Sequence, residues 1–226
     1  VNFPSTLRYI GDFAFNATKL EMKQLVIPEG VEEINQYAFA FCRKLKAQVI
    51  LPSTIKKIGE WAFYGCPITS INLPEGLESL GSLAFWDCDL REVSIPSSCH
   101  EFNEGWQFGF NRNLEKMHLP EGMTEIPDHF AVDCFRLREV NFPHTLKHIG
   151  EKAFSLCISL KNVDLPLGMQ SLGEEAFSEL EALEQIVFPA SMKSLGKNSC
   201  SYWKNIKRIY CAAIEPPVCD PTDGGV

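Results

Sequence analysis

The sequence predicts an α/β fold: a right-handed solenoid of about nine to ten stacked coils of 23 residues, with a parallel sheet along one face and short helical turns along the other. Three observations predict it. A proline preceded by an apolar residue recurs at Pro4, Pro28, Pro52, Pro74, Pro96, Pro120, Pro143, Pro166 and Pro189, at intervals of 22 to 24 residues. The residues leading into each proline alternate between apolar and polar. An Ala-Phe pair, as at Ala62-Phe63 and Ala176-Phe177, follows most of these prolines at a fixed distance. A unit this short cannot bury its own apolar columns, so like units must stack and cover one another.

The strand comes first. One residue before the proline stand Phe3, Ile27, Leu51, Leu73, Ile95, Leu119, Phe142, Leu165 and Phe188, and three before it stand Val1, Leu25, Val49, Ile71, Val93, Met117, Val140, Val163 and Ile186. Period-two alternation in β-favouring residues describes a short strand with one buried face. Ten such strands follow, from Val1–Phe3 to Ile209–Cys211. Proline ends each strand because it offers no N–H to a continuing ladder. Apolar residues three and six positions later, such as Val31 and Ile34 or Ile55 and Ile58, build a second inward wall. Gly11, Gly59, Gly81, Gly150, Gly173 and Gly196 then mark a turn that needs either a positive φ or close backbone approach, with Asn35 and Asn103 in the same column. The Ala-Phe pair closes the unit as a helical turn whose Phe fills the interior. Two units depart from the pattern, with Trp106-Gln107-Phe108 in place of Ala-Phe and Ile126-Pro127 where the next unit is one residue short, which predicts a bulge or a change of curvature there.

The 226 residues carry 21 Lys and Arg against 29 Asp and Glu, a formal charge of −8. Acidic charge spread along the chain without a local Lys/Arg run removes the electrostatic basis for nucleic acid or an anionic membrane as partner. The longest apolar run, Tyr37 to Cys42, is far below the roughly 20 residues that span a bilayer. Val1 opens inside a repeat unit with no leader, so a secretion signal would lie upstream and the chain reads as a fragment. Residues 1–211 form the repeat domain, and residues 212–226, rich in Pro, Asp and Gly, form a C-terminal cap or linker tail.

Cys42, Cys66, Cys88, Cys134 and Cys157 share one column, 14 residues after the proline, and Cys99, Cys200 and Cys211 replace apolar residues in other inward columns. They read as buried free thiols serving as small hydrophobes. Cys211 and Cys219 are the pair placed to form a staple. No C-x-x-C or C-x-x-H spacing indicates zinc, and no cofactor or metal is expected. The five histidines form no constellation and read as exposed loop residues. No nucleophile elbow or phosphate-binding loop occurs, so no catalytic residue is assigned.

The string Ile-Gly-x-x-Ala-Phe-x-x-Cys-x-x-Leu-x-x-Val-x-Leu-Pro, seen from Ile58 to Pro74 and from Ile149 to Pro166, resembles the repeat of the BspA-like leucine-rich repeat family. The resemblance covers residues 1 to 211. It implies a leucine-rich repeat arc, protein binding rather than catalysis, and an extracellular or cell-surface bacterial setting in which some members act as adhesins for host matrix proteins.

On such a solenoid, function belongs to the outward columns. The outward face of the strands, the concave face of the expected arc, carries Val26, Ile50, Asn72, Ser94, His118, Asn141 and Asp164 two residues before the proline, and Glu92, Lys116 and Glu139 four before it. These are the candidate protein-binding residues. A second candidate is an aromatic patch of Tyr37, Trp61, Tyr64 and Trp86, in two columns three residues apart and therefore adjacent on a helical turn. The expected function is recognition of a host or partner protein without catalysis. The alternatives are carbohydrate binding by the exposed aromatics and a purely structural spacer.

Overall fold

The computed structural model describes residues 3–213 and 217–219. Nineteen short strands among them, numbered β1 to β19 along the chain, alternate between two ladders. The first ladder holds the strands that run into the prolines: β2 (Gln24–Val26), β4 (Gln48–Ile50), β6 (Ser70–Asn72), β8 (Glu92–Ser94), β10 (Lys116–His118), β12 (Glu139–Asn141), β14 (Asn162–Val163), β16 (Gln185–Phe188) and β18 (Arg208–Cys211). The second holds two-residue strands just after them: β1 (Tyr9–Ile10), β3 (Glu33–Ile34), β5 (Lys57–Ile58), β7 (Ser79–Leu80), β9 (Glu101–Phe102), β11 (Glu125–Ile126), β13 (His148–Ile149), β15 (Ser171–Leu172), β17 (Ser194–Leu195) and β19 (Val218–Cys219). Every pairing is parallel and joins equivalent positions of successive coils, as in Gln48 opposite Gln24 and Ser70. The chain is therefore a parallel β-solenoid of about nine coils of ~23 residues. The expected tenth strand, at Val1–Phe3, falls partly on residues 1 and 2, outside the described residues.

The expected helical turns are absent: the described residues contain no helix. Around the Ala-Phe pair, alternate N–H groups bond in two directions. Tyr37, Phe39 and Phe41 donate to Glu60, Ala62 and Tyr64 of the next coil at 2.8–2.9 Å, while Ala38, Ala40 and Cys42 donate back three residues within their own coil. A helix would satisfy all of these groups internally and leave no lateral bonds between coils. The alternation requires the backbone to flip twice per coil, so Tyr37 and Phe41 take φ of 55° and 59°, and their equivalents, such as Lys152, Leu156, Glu175 and Glu179, do the same. Spacing of apolar side chains at i and i+3 reports which residues face inward, and a train of turns satisfies it as well as a helix does.

The core is a set of columns. Phe15, Phe39, Phe63, Phe85 and Phe108 stack ring on ring at 5.1–5.6 Å, nearly parallel. The column cysteines lie inside, but as more than fillers. Each thiol donates to a carbonyl of the preceding coil: Cys42 to Phe15 at 3.0 Å, Cys66 to Phe39 at 2.8 Å, Cys88 to Phe63, Cys134 to Phe108 and Cys157 to Ala131 at 3.3 Å. Where the column lacks cysteine, Asn111 Nδ2 and Trp203 Nε1 donate to Phe85 and Phe177, each at 2.7 Å. These coils thus fill the column with a hydrogen-bond donor, whereas the apolar Leu180 takes the same place after Pro166.

From Gly59 onward the glycine column answers to close approach and not to positive φ, whereas Gly11 has open space around it. A Cβ on Gly81 would lie 2.4 Å from Glu60 N, and one on Gly173 2.6 Å from Glu151 N. This explains the fault between the fifth and sixth coils. Asn103 and Pro127 occupy that column, and Pro127 has no N–H to give Phe102. The second ladder breaks there into β1-β3-β5-β7-β9 and β11-β13-β15-β17-β19. Elsewhere two successive amides share the carbonyl of the coil before, as Lys147 and His148 share Thr124 O, but Thr124 and Glu125 have no such partner. The irregularity lies where the sequence placed it and takes the form of a break. The buried stack breaks with it, since Phe108 and Phe130 meet edge to face at 76°.

A second period of two coils underlies the first. Glu29 accepts from the amide and hydroxyl of Ser53, while Thr54 Oγ1 accepts from Gly30 N at 3.0 Å and donates to Val31 O at 2.8 Å. The same clasp joins Glu75-Gly76 to Ser97-Ser98 and Glu121-Gly122 to His144-Thr145.

Candidate functional site

The first ladder presents one buried and one outward face, with the middle residue of most three-residue strands buried between two outward ones. Stacking in register turns outward residues 22 to 24 apart in sequence into rows. Glu92, Lys116 and Glu139 form one row, and Ser94, His118 and Asn141 another. Val26, Ile50 and Asn72 make a third, and Asp164 is exposed beyond β14. An ion pair runs along the first row, with Lys116 Nζ 3.2 Å from Glu139, and a hydrogen bond crosses between the two rows, with His118 Nε2 3.1 Å from Glu92.

Two of the ten candidates are committed to the scaffold. Asn141 Oδ1 accepts from Leu119 N at 2.8 Å and its Nδ2 donates to Leu119 O at 3.0 Å, while Asn72 Oδ1 accepts from Leu51 N at 3.2 Å. These are also the strands at which the ladder ends a three-strand group, β2-β4-β6 and β8-β10-β12. The asparagine amides take over a bond that a main-chain carbonyl makes elsewhere, as Ile50 O does for Ile27 N.

The four aromatic candidates divide into two groups. Phe13, Tyr37 and Trp61 stack at 4.8 and 5.3 Å within 13° of parallel, with Tyr64 against Trp61 at 4.4 Å. Trp86 instead joins Trp106 and Phe110, and Trp106 lies flat on His129 at 3.6 Å. Trp86 packs where Gly109 has no side chain, since a Cβ there would lie 2.1 Å from the indole. Coil-to-coil stacking covers the faces of Tyr37 and Trp61 and leaves their edges outward, whereas sugar rings are held on exposed aromatic faces. All four rings are half-buried.

The titratable groups form no catalytic array. Burial pushes the Cys134 thiol up to about 12 and raises Cys88 and Cys157, and the Cys42 thiol together with burial raises Cys66. These thiols stay protonated, consistent with their role as donors. Among the described residues no group of three or more His, Cys, Asp or Glu is placed to hold a metal ion. Cys211 and Cys219, the pair placed to form a staple, are free and exposed, one on each ladder; Cys200 is only half-buried. Two histidines are not the exposed loop residues expected. His148 sits in β13 with Nδ1 2.6 Å from Ser171 Oγ, and the His129 side chain is 14% exposed under Trp106.

The sequence reading missed the column five residues before the proline. It places Lys161, Glu184 and Lys207 beside Asn162, Gln185 and Arg208, around an open depression of 540 Å³. The signal was present only as residues 23 and 46 positions apart.

This fold, with its outward columns on a stacked parallel ladder, defines a leucine-rich repeat protein. The sequence pattern of the BspA type leucine-rich repeat region matches residues 1–49, 47–144 and 130–214, and the chain belongs to that family. A leucine-rich repeat protein from Bacteroides ovatus is similar at 30% identity and a TM-score of 0.80, over 91% of this chain and 55% of that one; the present chain thus spans about half of that protein's length. A leucine-rich repeat protein of T. pallidum is similar at 27% identity, TM-score 0.58, over 79% of this chain and 73% of its own. The pneumococcal vaccine antigen PcpA is 17% identical with a TM-score of 0.50, over 99% of this chain and 69% of its own, a likeness of fold alone. No curated protein matches the sequence. Among the described residues no helix is long and apolar enough to cross a membrane.

Proposed function

We propose that this chain is a non-catalytic protein-recognition domain of a bacterial surface or secreted protein, adhesin-like in action, and that the outward face of the first ladder meets the partner. The observation that carries the reading is the contrast between columns. Inward positions of the first ladder keep to a few apolar residue types, while the outward ones change from Val26 and Ile50 to Ser94, His118 and Asp164. Apart from Asn72 and Asn141, the outward positions are not needed for stacking, and extended ladders of this kind serve repeat proteins as binding surfaces. The partner class is a host matrix or surface protein. Membership of the BspA type family supports the extracellular setting. Glycan recognition by Tyr37, Trp61, Tyr64 and Trp86 is the weaker reading, because the stacked ring faces are already occupied.

The test is binding of the immobilised chain to a panel of purified extracellular-matrix proteins and to a glycan array. Alongside it runs the variant Glu92→Lys, Lys116→Glu, Glu139→Lys, whose alternating charges preserve the row. Loss of about tenfold or more in affinity for a captured matrix protein is expected. Unchanged capture by the variant removes this face as the platform.

A further inference from the structure

In coils four to six the charges of the first ladder cancel. Arg91-Glu92, Glu115-Lys116 and Arg138-Glu139 are each neutral pairs, and the sign alternates from coil to coil so that Lys116 lies between two glutamates. The last three coils break this rule. Lys161-Asn162, Glu184-Gln185 and Lys207-Arg208 set three cations against one carboxylate around the 540 Å³ depression. Glu184 is taken by Lys207 at 2.8 Å. Lys161 and Arg208 have no carboxylate partner within ion-pair distance among the described residues. Asp164 is the one other exposed acid nearby on the same strands, two residues beyond Asn162. An uncompensated positive spot on a chain of net charge −8 is local, and its field is felt within about one Debye length, roughly 8–10 Å.

Apolar surface adjoins it. Val187 and Tyr210 lie opposite each other in β16 and β18, each 50% exposed, two residues along the strands from Gln185 and Arg208. That is about 7 Å from the cationic rows. Exposed cations beside a valine and a tyrosine complement a segment that offers carboxylates and apolar side chains together. A sulfated glycan would use the cations and leave Val187 and Tyr210 uncovered.

We infer that the last three coils of the first ladder form a docking site for an acidic peptide segment carrying apolar residues, with Lys161, Lys207 and Arg208 receiving its carboxylates and Val187 and Tyr210 its apolar side chains. The inference rests on the proposed use of this face for protein recognition and names one end of it and one partner chemistry.

The probe is a fluorescein-labelled octapeptide of six glutamates and two phenylalanines, titrated against the pure chain by fluorescence anisotropy. The same peptide with glutamine in place of glutamate and a labelled heparin oligosaccharide run beside it. The variant is Lys161→Gln with Arg208→Gln; the control, Lys56→Gln with Lys147→Gln, removes the same charge from exposed positions just before β5 and β13 of the second ladder. Saturable binding of the glutamate peptide, weakened about tenfold or more in the variant and by added salt but not in the control, is expected. Val187→Ser with Tyr210→Ser should also weaken the peptide and leave heparin unaffected. Three results would each overturn the inference: equal loss in both charge doubles, equal binding of the glutamine peptide, or heparin binding that falls in the Lys161/Arg208 variant while the peptide is unchanged. The titration needs no natural partner, so its failure leaves the matrix-protein experiment standing, and failure of that experiment leaves the peptide result intact.

Discussion

Two residue-level features separate this chain from a generic apolar stack. The first is the donor column. A buried carbonyl is costly to leave without a partner, by about 1–3 kcal/mol, and Cys157 supplies one to Ala131 O. Cys157→Ala removes the donor and some volume and should cost about 1–2 kcal/mol in chemical denaturation, while Cys157→Ser keeps the donor and should lose less. The second is the repeated left-handed backbone at residues other than glycine, which costs of order 1 kcal/mol at each site. Glu175, at φ 51° and half-buried, should therefore gain roughly 0.5–1 kcal/mol as Glu175→Asn. His129 adds a pH term. Burial holds its imidazole below the ordinary value of 6.5, chiefly against the pull of Glu151. The unfolded chain thus takes up this proton near pH 6.5 before the folded one does. The contribution is fully present above that pH and is lost as the pH falls through the folded value. Denaturation midpoints at pH 7.5 and 5.5 should diverge less for His129→Phe, which keeps the stack on Trp106, than for the parent. The sequence marked these positions as apolar, polar or histidine. It could not show that cysteine was chosen as a donor or that His129 would lie under an indole, because both depend on the neighbouring coil.

Among the elements, strands and their order were legible because period-two alternation and a terminating proline act locally. The turn region was not. Its apolar spacing fits a helix, but lateral bonding to the next coil, invisible in one unit, decides between a helix and a train of turns. The two-coil clasp could have been read: the residues after the proline alternate between Glu-Gly and Ser or His followed by Thr or Ser, from Glu29-Gly30 to His144-Thr145. The fault was also legible in outline, since Pro127 stands in a glycine column. Its consequence is specific. Amide hydrogen exchange at Thr124 and Glu125 should be far faster than at Lys147 and His148, which occupy the same positions one coil later and bond to Thr124 O. Equal protection at the two sites would mean that β9 and β11 are paired after all.

For the whole molecule, function depends on how stacking redistributes sequence. Lys161 and Lys207 are distant along the chain and two coils apart in the structure, so a chain with no basic run acquires a basic depression. The candidate face lies outward because the inward columns leave it no other place. Which outward residues are free was not legible, since Asn72 and Asn141 are drawn into the ladder by main-chain bonds that only the paired strands reveal. All of this requires that successive coils lie in register with the cysteine column inside. Native-state titration of thiols with Ellman's reagent tests that most directly: Cys211 and Cys219 should react at once, Cys200 slowly, and the other six only after denaturant is added, when all nine thiols appear. Rapid native reaction of Cys42, Cys66, Cys88, Cys134 or Cys157, or fewer than nine thiols in denaturant, would contradict it.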